Sequence, residues 1–206
     1  MTLTSPELYL VRHGETAWSR IRRLTSVTDL DLTDVGVAQA SSLCGHLDPA
    51  AFGLVLSSPR RRAQRTAQLA GFDPARVVVD DDLAEWSYGD YEGLTRDQVQ
   101  QDVPGWEVWT GVVPGGETAD LVRARVGRVI ERAEASGVDR VLCFAHAHVL
   151  RALTLVWLDL DFGHGEAFPL DTATISVLGD SHGRRALLRW NAPPPPTPTP
   201  LDHDHR

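Results

Sequence analysis

Short apolar runs bounded by turn residues alternate along the chain with longer stretches of helical period. Residues 8–11, 54–56, 77–79 and 141–145 read as strands, and three of them are too uniformly apolar to have a wet face. Helical candidates lie between them. Thr33 can cap a helix whose apolar side is Val37, Ala40, Cys44 and Leu47. Pro59 suits the first turn of a second helix, which runs through Arg62 to Leu69 and stops at Gly71. Thr118 can cap a third, with Val122, Val126, Val129, Ile130 and Ala133 toward the core. A fourth, residues 149–158, is apolar nearly all round and is expected to be buried. Strands alternating with helices predict a three-layer α/β/α sandwich around a mostly parallel central sheet. Residues 174–178 and 186–190 flank Asp180-Ser181-His182-Gly183 and read as a hairpin.

These elements fill one domain, residues 1–191, within a chain of 206 residues. Residues 192–206 open with APPPPTPTP and are expected to form a disordered, polyproline-like tail. Residues 86–117 differ from the rest: Trp86, Tyr88, Tyr91, Trp106 and Trp109 crowd a glycine- and proline-rich stretch. It reads either as an insertion overhanging the site end of the sheet or as a minicore under a long loop.

Charge narrows the partners. The chain carries 20 basic and 28 acidic residues, a net charge of −8, which suits neither nucleic acid nor an anionic membrane surface. All of the basic residues are arginine, which removes Schiff-base lysines and the P-loop lysine. Cys44 and Cys143 are too few and too far apart for a disulfide framework, so a reducing cytoplasm is expected. The N-terminus lacks the pattern of a signal peptide. No apolar run approaches about 18 residues, so no membrane span is expected.

Candidate chemistry sits where strands end. Arg12-His13-Gly14-Glu15-Thr16 follows the first strand, which delivers a nucleophilic imidazole beside a phosphate-binding guanidinium. Gly14 would let backbone approach a ligand closely. Ser57-Ser58-Pro59-Arg60-Arg61-Arg62 and Arg65 open the second helix, whose N-terminus favours anions. Phe144-Ala145-His146-Ala147-His148 closes another strand. Glu85 precedes Trp86, whose ring could desolvate it into a usable proton donor. The histidines lack a second ligand cluster at metal spacing, and no metal site is expected.

This ordered set of four motifs, spread over residues 8–180, strongly resembles the histidine phosphatase superfamily, the phosphoglycerate mutase-like fold. The resemblance implies that His13 is the phosphorylated nucleophile and Glu85 the acid/base. It implies that Arg12, Arg62 and a protonated His146 surround the phosphate, leaving Arg60, Arg61 and Arg65 outside. Ser19, Thr25 and Ser26 fall where relatives place small polar pocket residues. The segment EWSYGDYEGLT and Pro114-Gly115-Gly116-Glu117-Thr118 look like the phosphatase branch with sedoheptulose-bisphosphatase-like and actinobacterial acid-phosphatase-like members. True mutases carry an arginine where this chain has Trp86, and an arginine pair near Thr110-Gly111. Two departures, Ala147 and Ser26 in place of glycine, add side chain near the pocket. The resemblance implies hydrolysis of a small phosphate monoester, a sugar phosphate or related hydroxylated metabolite, without cofactor. The rival readings are a cofactor-dependent mutase, a non-catalytic phospho-ligand module and a phosphoprotein phosphatase. A homodimer is compatible with all of them.

Overall fold

The computed structural model describes residues 5–194. Its elements in chain order are β1 (Glu7–Arg12), α1 (Ala17–Arg20), α2 (Asp34–Ser42), β2 (Leu54–Ser57), α3 (Arg61–Leu69), β3 (Val77–Val79), α4 (Arg96–Asp102), α5 (Ala119–Ala135), β4 (Arg140–Ala145), α6 (Ala147–Trp157), β5 (Ile175–Ser181) and β6 (Arg184–Ala192). The strands form one sheet in the order β3-β2-β4-β1-β5-β6. The first four in that order run parallel, and the C-terminal hairpin extends the sheet in antiparallel fashion from β1. The expected α/β/α sandwich is therefore the observed one.

Side-chain alternation along the strands splits the core in two. Leu8 and Leu10 pack with Val122, Val126 and Val129 of α5 and Leu150 and Leu153 of α6. Val11 points the other way, into a cluster with Leu43, Ala63 and Ala67 around α2 and α3. The caps form as expected. Thr33 accepts the Gly36 amide at 3.1 Å and Thr118 the Leu121 amide at 3.3 Å, and all five predicted core positions of α5 are buried.

Three details differ. Helix α2 ends at Ser42, so Leu43 takes the inward position and Cys44 is exposed. Pro59 lies before α3, whose N-cap is Arg60; the proline keeps the chain extended as it leaves β2. β3 is apolar yet sits at the free edge of the sheet, which leaves Val78 and Val79 each 51% exposed. The aromatic stretch satisfies both of its readings. Trp86 packs edge-on against Trp109 at 5.7 Å between ring centroids, with Phe162 beside them, while Tyr88 also faces the site cavity. Within this stretch Thr95 and Gln98 form a capping box for α4, an element hidden by its aromatic neighbours. Strand β6 runs through Ala192, and residues 195–206 of the expected tail lie outside the described residues. Among the described residues no helix is long and apolar enough to cross a membrane.

Candidate active site

Strand register assembles the site. β1 pairs Arg12 with Ala145 of β4, and pairing continues beyond the strands: the His13 amide donates to Ala145 O at 3.0 Å and the Ser58 amide to Phe144 O at 2.9 Å. His13, Ser58 and His146 therefore leave three neighbouring strands at one carboxyl edge, where open α/β sheets bind ligands.

His13 is 5% exposed, and its ring centroid lies 5.0 Å from that of His146. Its Nδ1 lies 2.7 Å from Gly14 O, a contact that requires the proton on Nδ1 and leaves the Nε2 lone pair free. Burial, reinforced by the Arg62 and Arg12 guanidinium groups, holds the imidazole well below its ordinary range, so the ring is neutral. Gly14 serves packing rather than ligand approach. A Cβ there would strike the carbonyl oxygen of Gly36, so β1 and α2 close against each other backbone to backbone.

A buried polar layer stands behind His13. Arg62, fully buried, donates from Nε to His146 Nδ1 at 3.1 Å and from its other nitrogens to the carbonyls of Thr25, Ser26 and Thr28. That leaves the proton of His146 on Nε2, which lies 2.7 Å from Ser58 Oγ. Burial and the neighbouring Arg62 lower this imidazole well below its usual range too. The expected protonated His146 is thus corrected: Arg62 needs an acceptor at Nδ1, and a second proton has no place. Glu92 anchors the loop that Arg62 grips, accepting the Ser26 amide at 2.9 Å and the Thr28 amide at 3.0 Å.

Glu85 faces the N-terminus of α6. Its Oε1 accepts the amides of Trp86 and Val149, each at 2.9 Å, and its Oε2 accepts the His148 amide at 3.1 Å. The indole of Trp86 does not shield this carboxylate as expected. It turns into the aromatic core, where Nε1 donates to Glu117 O at 2.9 Å. Tyr88 Oη lies 2.6 Å from His148 Nδ1. Burial with Glu85 nearby raises the phenol, and burial with Arg151 nearby lowers the imidazole, so tyrosine donates to a neutral histidine.

His13, Glu85, Tyr88 and His148 border a cavity of about 470 Å³, the size of a small-metabolite site. Of the expected residues, Arg12, His13, Ser19, Thr25 and Glu85 line it; Arg62, His146 and Ser26 do not. Ser26 is 1% exposed and its hydroxyl donates to Glu85 O at 3.0 Å, so the added side chain braces Glu85 instead of narrowing the pocket. Ala147 does face the cavity. Sequence reasoning missed Tyr88, His148 and Arg151 as lining residues. Arg151 carried a signal, being a lone cation in the otherwise apolar α6.

A neutral histidine, free at Nε2 at a strand end and flanked by guanidinium groups, defines an α/β protein that handles phosphoryl groups. The chain belongs to the histidine phosphatase superfamily (branch 1), whose family model matches residues 8–193. It is 41% identical over 194 residues to an acid phosphatase of Mycobacterium tuberculosis, spanning 91% of this chain and 93% of that protein. It is 35% identical over 193 residues to the sedoheptulose 1,7-bisphosphatase of Saccharomyces cerevisiae, spanning 78% and 70% respectively. A solved structure of an open reading frame product from Mycobacterium tuberculosis superposes with a TM-score of 0.86 at 38% identity, covering 91% of this chain and 98% of that one. The family, fold and phosphatase branch expected from sequence are upheld.

Proposed function

We propose that this chain hydrolyses a small phosphate monoester, a sugar phosphate or related hydroxylated metabolite, through a phosphohistidine at His13. The supporting observation is the tautomer of His13: Nδ1 is tied to Gly14 O and Nε2 is free beside the cavity. Nε2 attacks phosphorus as the bond to the sugar oxygen breaks, and Glu85 gives its proton to the departing alkoxide. Glu85 Oε2 has one amide partner against two at Oε1, which leaves it room to carry that proton. Water then loses a proton to Glu85 and attacks phosphorus, the N–P bond breaks and phosphate departs. Arg12 bonds the transferring oxygens. Ser19 and Thr25 contribute hydroxyls. Arg62 holds His146 and the 25–28 loop, and its charge acts on the phosphoryl group through His146.

A mutase reading lacks its cations, since Trp86 is buried in the aromatic core and Thr110-Gly111 offers none. The setting is a reducing cytoplasm, consistent with two free cysteines. The test is a panel of sugar, cyclitol and glycerate phosphates, with rapid quenching of the enzyme. Wild type releases phosphate and shows an acid-labile, base-stable phosphoenzyme, and His13→Ala shows neither. A His13→Ala protein with a tenth of normal turnover overturns the mechanism.

A further inference from the structure

Among the described residues the Arg12 guanidinium has one hydrogen-bond partner, Leu170 O, and its buried Nε has none. The backbone is tied to the same segment, since the Ala173 amide donates to Arg12 O at 2.9 Å. The direction of the guanidinium is therefore set by residues 169–174, which line the cavity at Pro169, Asp171 and Thr172. That segment belongs to no helix or strand. It is held from the C-terminal strand instead.

Strand β6 is bulged beside it. Ile175 pairs with Ala192 and Val177 with Arg189, so Trp190 and Asn191 together stand opposite Ser176. A bulge of this kind re-aims a side chain, and bulges recur next to active sites. Asn191 has φ of 51°, a region asparagine enters more readily than most side chains. Its amide donates to Ser176 Oγ at 3.0 Å while its side chain turns onto the segment. Oδ1 accepts the Asp171 amide at 2.7 Å and lies 2.9 Å from Thr174 Oγ1, and Nδ2 donates to Asp171 Oδ2 at 2.9 Å. Trp190 Nε1 donates to Pro169 O at 2.7 Å, with its ring edge-on to Phe168. Both neighbours of Leu170 are thus pinned and its own side chain is buried, which fixes its carbonyl under Arg12. The charge of Asp171 reaches Arg12. Asn191 holds that carboxylate back from an ion pair that would occupy donors the phosphate needs.

We propose that Asn191 and Trp190 are positioning residues for Arg12: the bulge of β6 clamps residues 169–171, and Leu170 O aims the guanidinium at the phosphoryl group. The proposal rests on the phosphatase reading above. Arg12 meets the phosphoryl oxygens that every ester shares, so loosening the clamp acts alike on esters with good and poor leaving groups.

The test is a double-mutant cycle of Asn191→Gly with Arg12→Gln, beside Trp190→Phe, which keeps a ring on Phe168 and removes the donor. Glycine is compatible with the positive φ, and melting temperatures verify folding. The readouts are kcat/KM for p-nitrophenyl phosphate and fructose 6-phosphate, and the Kd of inorganic phosphate by calorimetry. Asn191→Gly lowers kcat/KM about tenfold to a hundredfold for both esters and weakens phosphate binding. Trp190→Phe acts in the same direction. In the Arg12→Gln background Asn191→Gly changes either readout by no more than about twofold. Folded single variants with unchanged kcat/KM and phosphate affinity overturn the clamp, as does a loss of the same size with and without Arg12. If Asn191→Gly does not fold, Trp190→Phe takes its place in the cycle. If wild type turns over neither ester, the phosphatase reading fails separately and the phosphate Kd decides the clamp by the same cycle. A wild type that also binds no phosphate overturns both.

Discussion

At the scale of single residues, Glu85 and His13 are set by opposite devices: three backbone donors around the carboxylate, and a dry, cationic setting around the imidazole. A sugar alkoxide leaves poorly unless protonated, whereas an aryl phosphate leaves unaided. Glu85→Gln is therefore expected to slow the pre-steady-state burst with a sugar phosphate by about 10²–10⁴-fold and with p-nitrophenyl phosphate far less. Equal losses would remove Glu85 as the leaving-group acid. Glutamine also sets an NH2 group against amide donors, so the variant should lose about 1 kcal/mol of stability. For His13, an ordinary imidazole loses about threefold of its neutral form between pH 7 and pH 6. Held well below that range, His13 stays a free base, and kcat/KM for an aryl phosphate is expected to keep most of its value at pH 6. A threefold fall that follows a histidine titration would contradict this.

At the scale of elements, buried arginines tie helices to the loops that carry the site. Arg125 of α5 forms a bidentate pair with Glu117 and donates to Asp82 O and Ala84 O, each at 2.7 Å, just before Glu85. Arg125→Ala leaves a carboxylate and two carbonyls without their partner and is expected to cost about 3–5 kcal/mol in urea unfolding. On α3, Arg62→Ala strips His146 and three carbonyls of their donor and should cost orders of magnitude in kcat/KM. Arg61, whose side chain is 65% exposed beside Asp29, should tolerate alanine. Equal losses at both positions would mean that the wrong arginine has been assigned. These ties explain what could be read in advance. Val122, Val126 and Val129 announce themselves by helical period, and His13 by its place after an apolar strand. Ser26 and Glu92 give no such sign, because their partners are backbone groups 59 to 66 positions away along the chain, and Arg125, besides pairing with Glu117, reaches carbonyls 41 and 43 positions away. The neutrality of His146 is hidden from the sequence for the same reason: it follows from an arginine nitrogen 84 positions away.

At the scale of the whole molecule, His13 and His146, buried, and His148, half-buried, are all held in the neutral form. The unfolded chain protonates these imidazoles near pH 6.5 and the folded chain does not, so the unfolded state binds more protons below that pH. Their contribution to stability is thus lost as pH falls from about 6.5 toward the depressed folded values, at up to about 1.4 kcal/mol per histidine per pH unit. Urea midpoints at pH 7.5, 6.5 and 5.5 should be close for the first two and clearly lower at the last; a flat profile would show that the histidines charge freely in the fold. The open edge of the sheet has a practical use. Val78 on β3 is half exposed, and edge strands tolerate a charged side chain in place of an apolar one. Since the chain contains no lysine, Val78→Lys would introduce its one side-chain amine, a defined anchor, besides the terminal amine, for coupling a fluorophore or tethering the enzyme to a support.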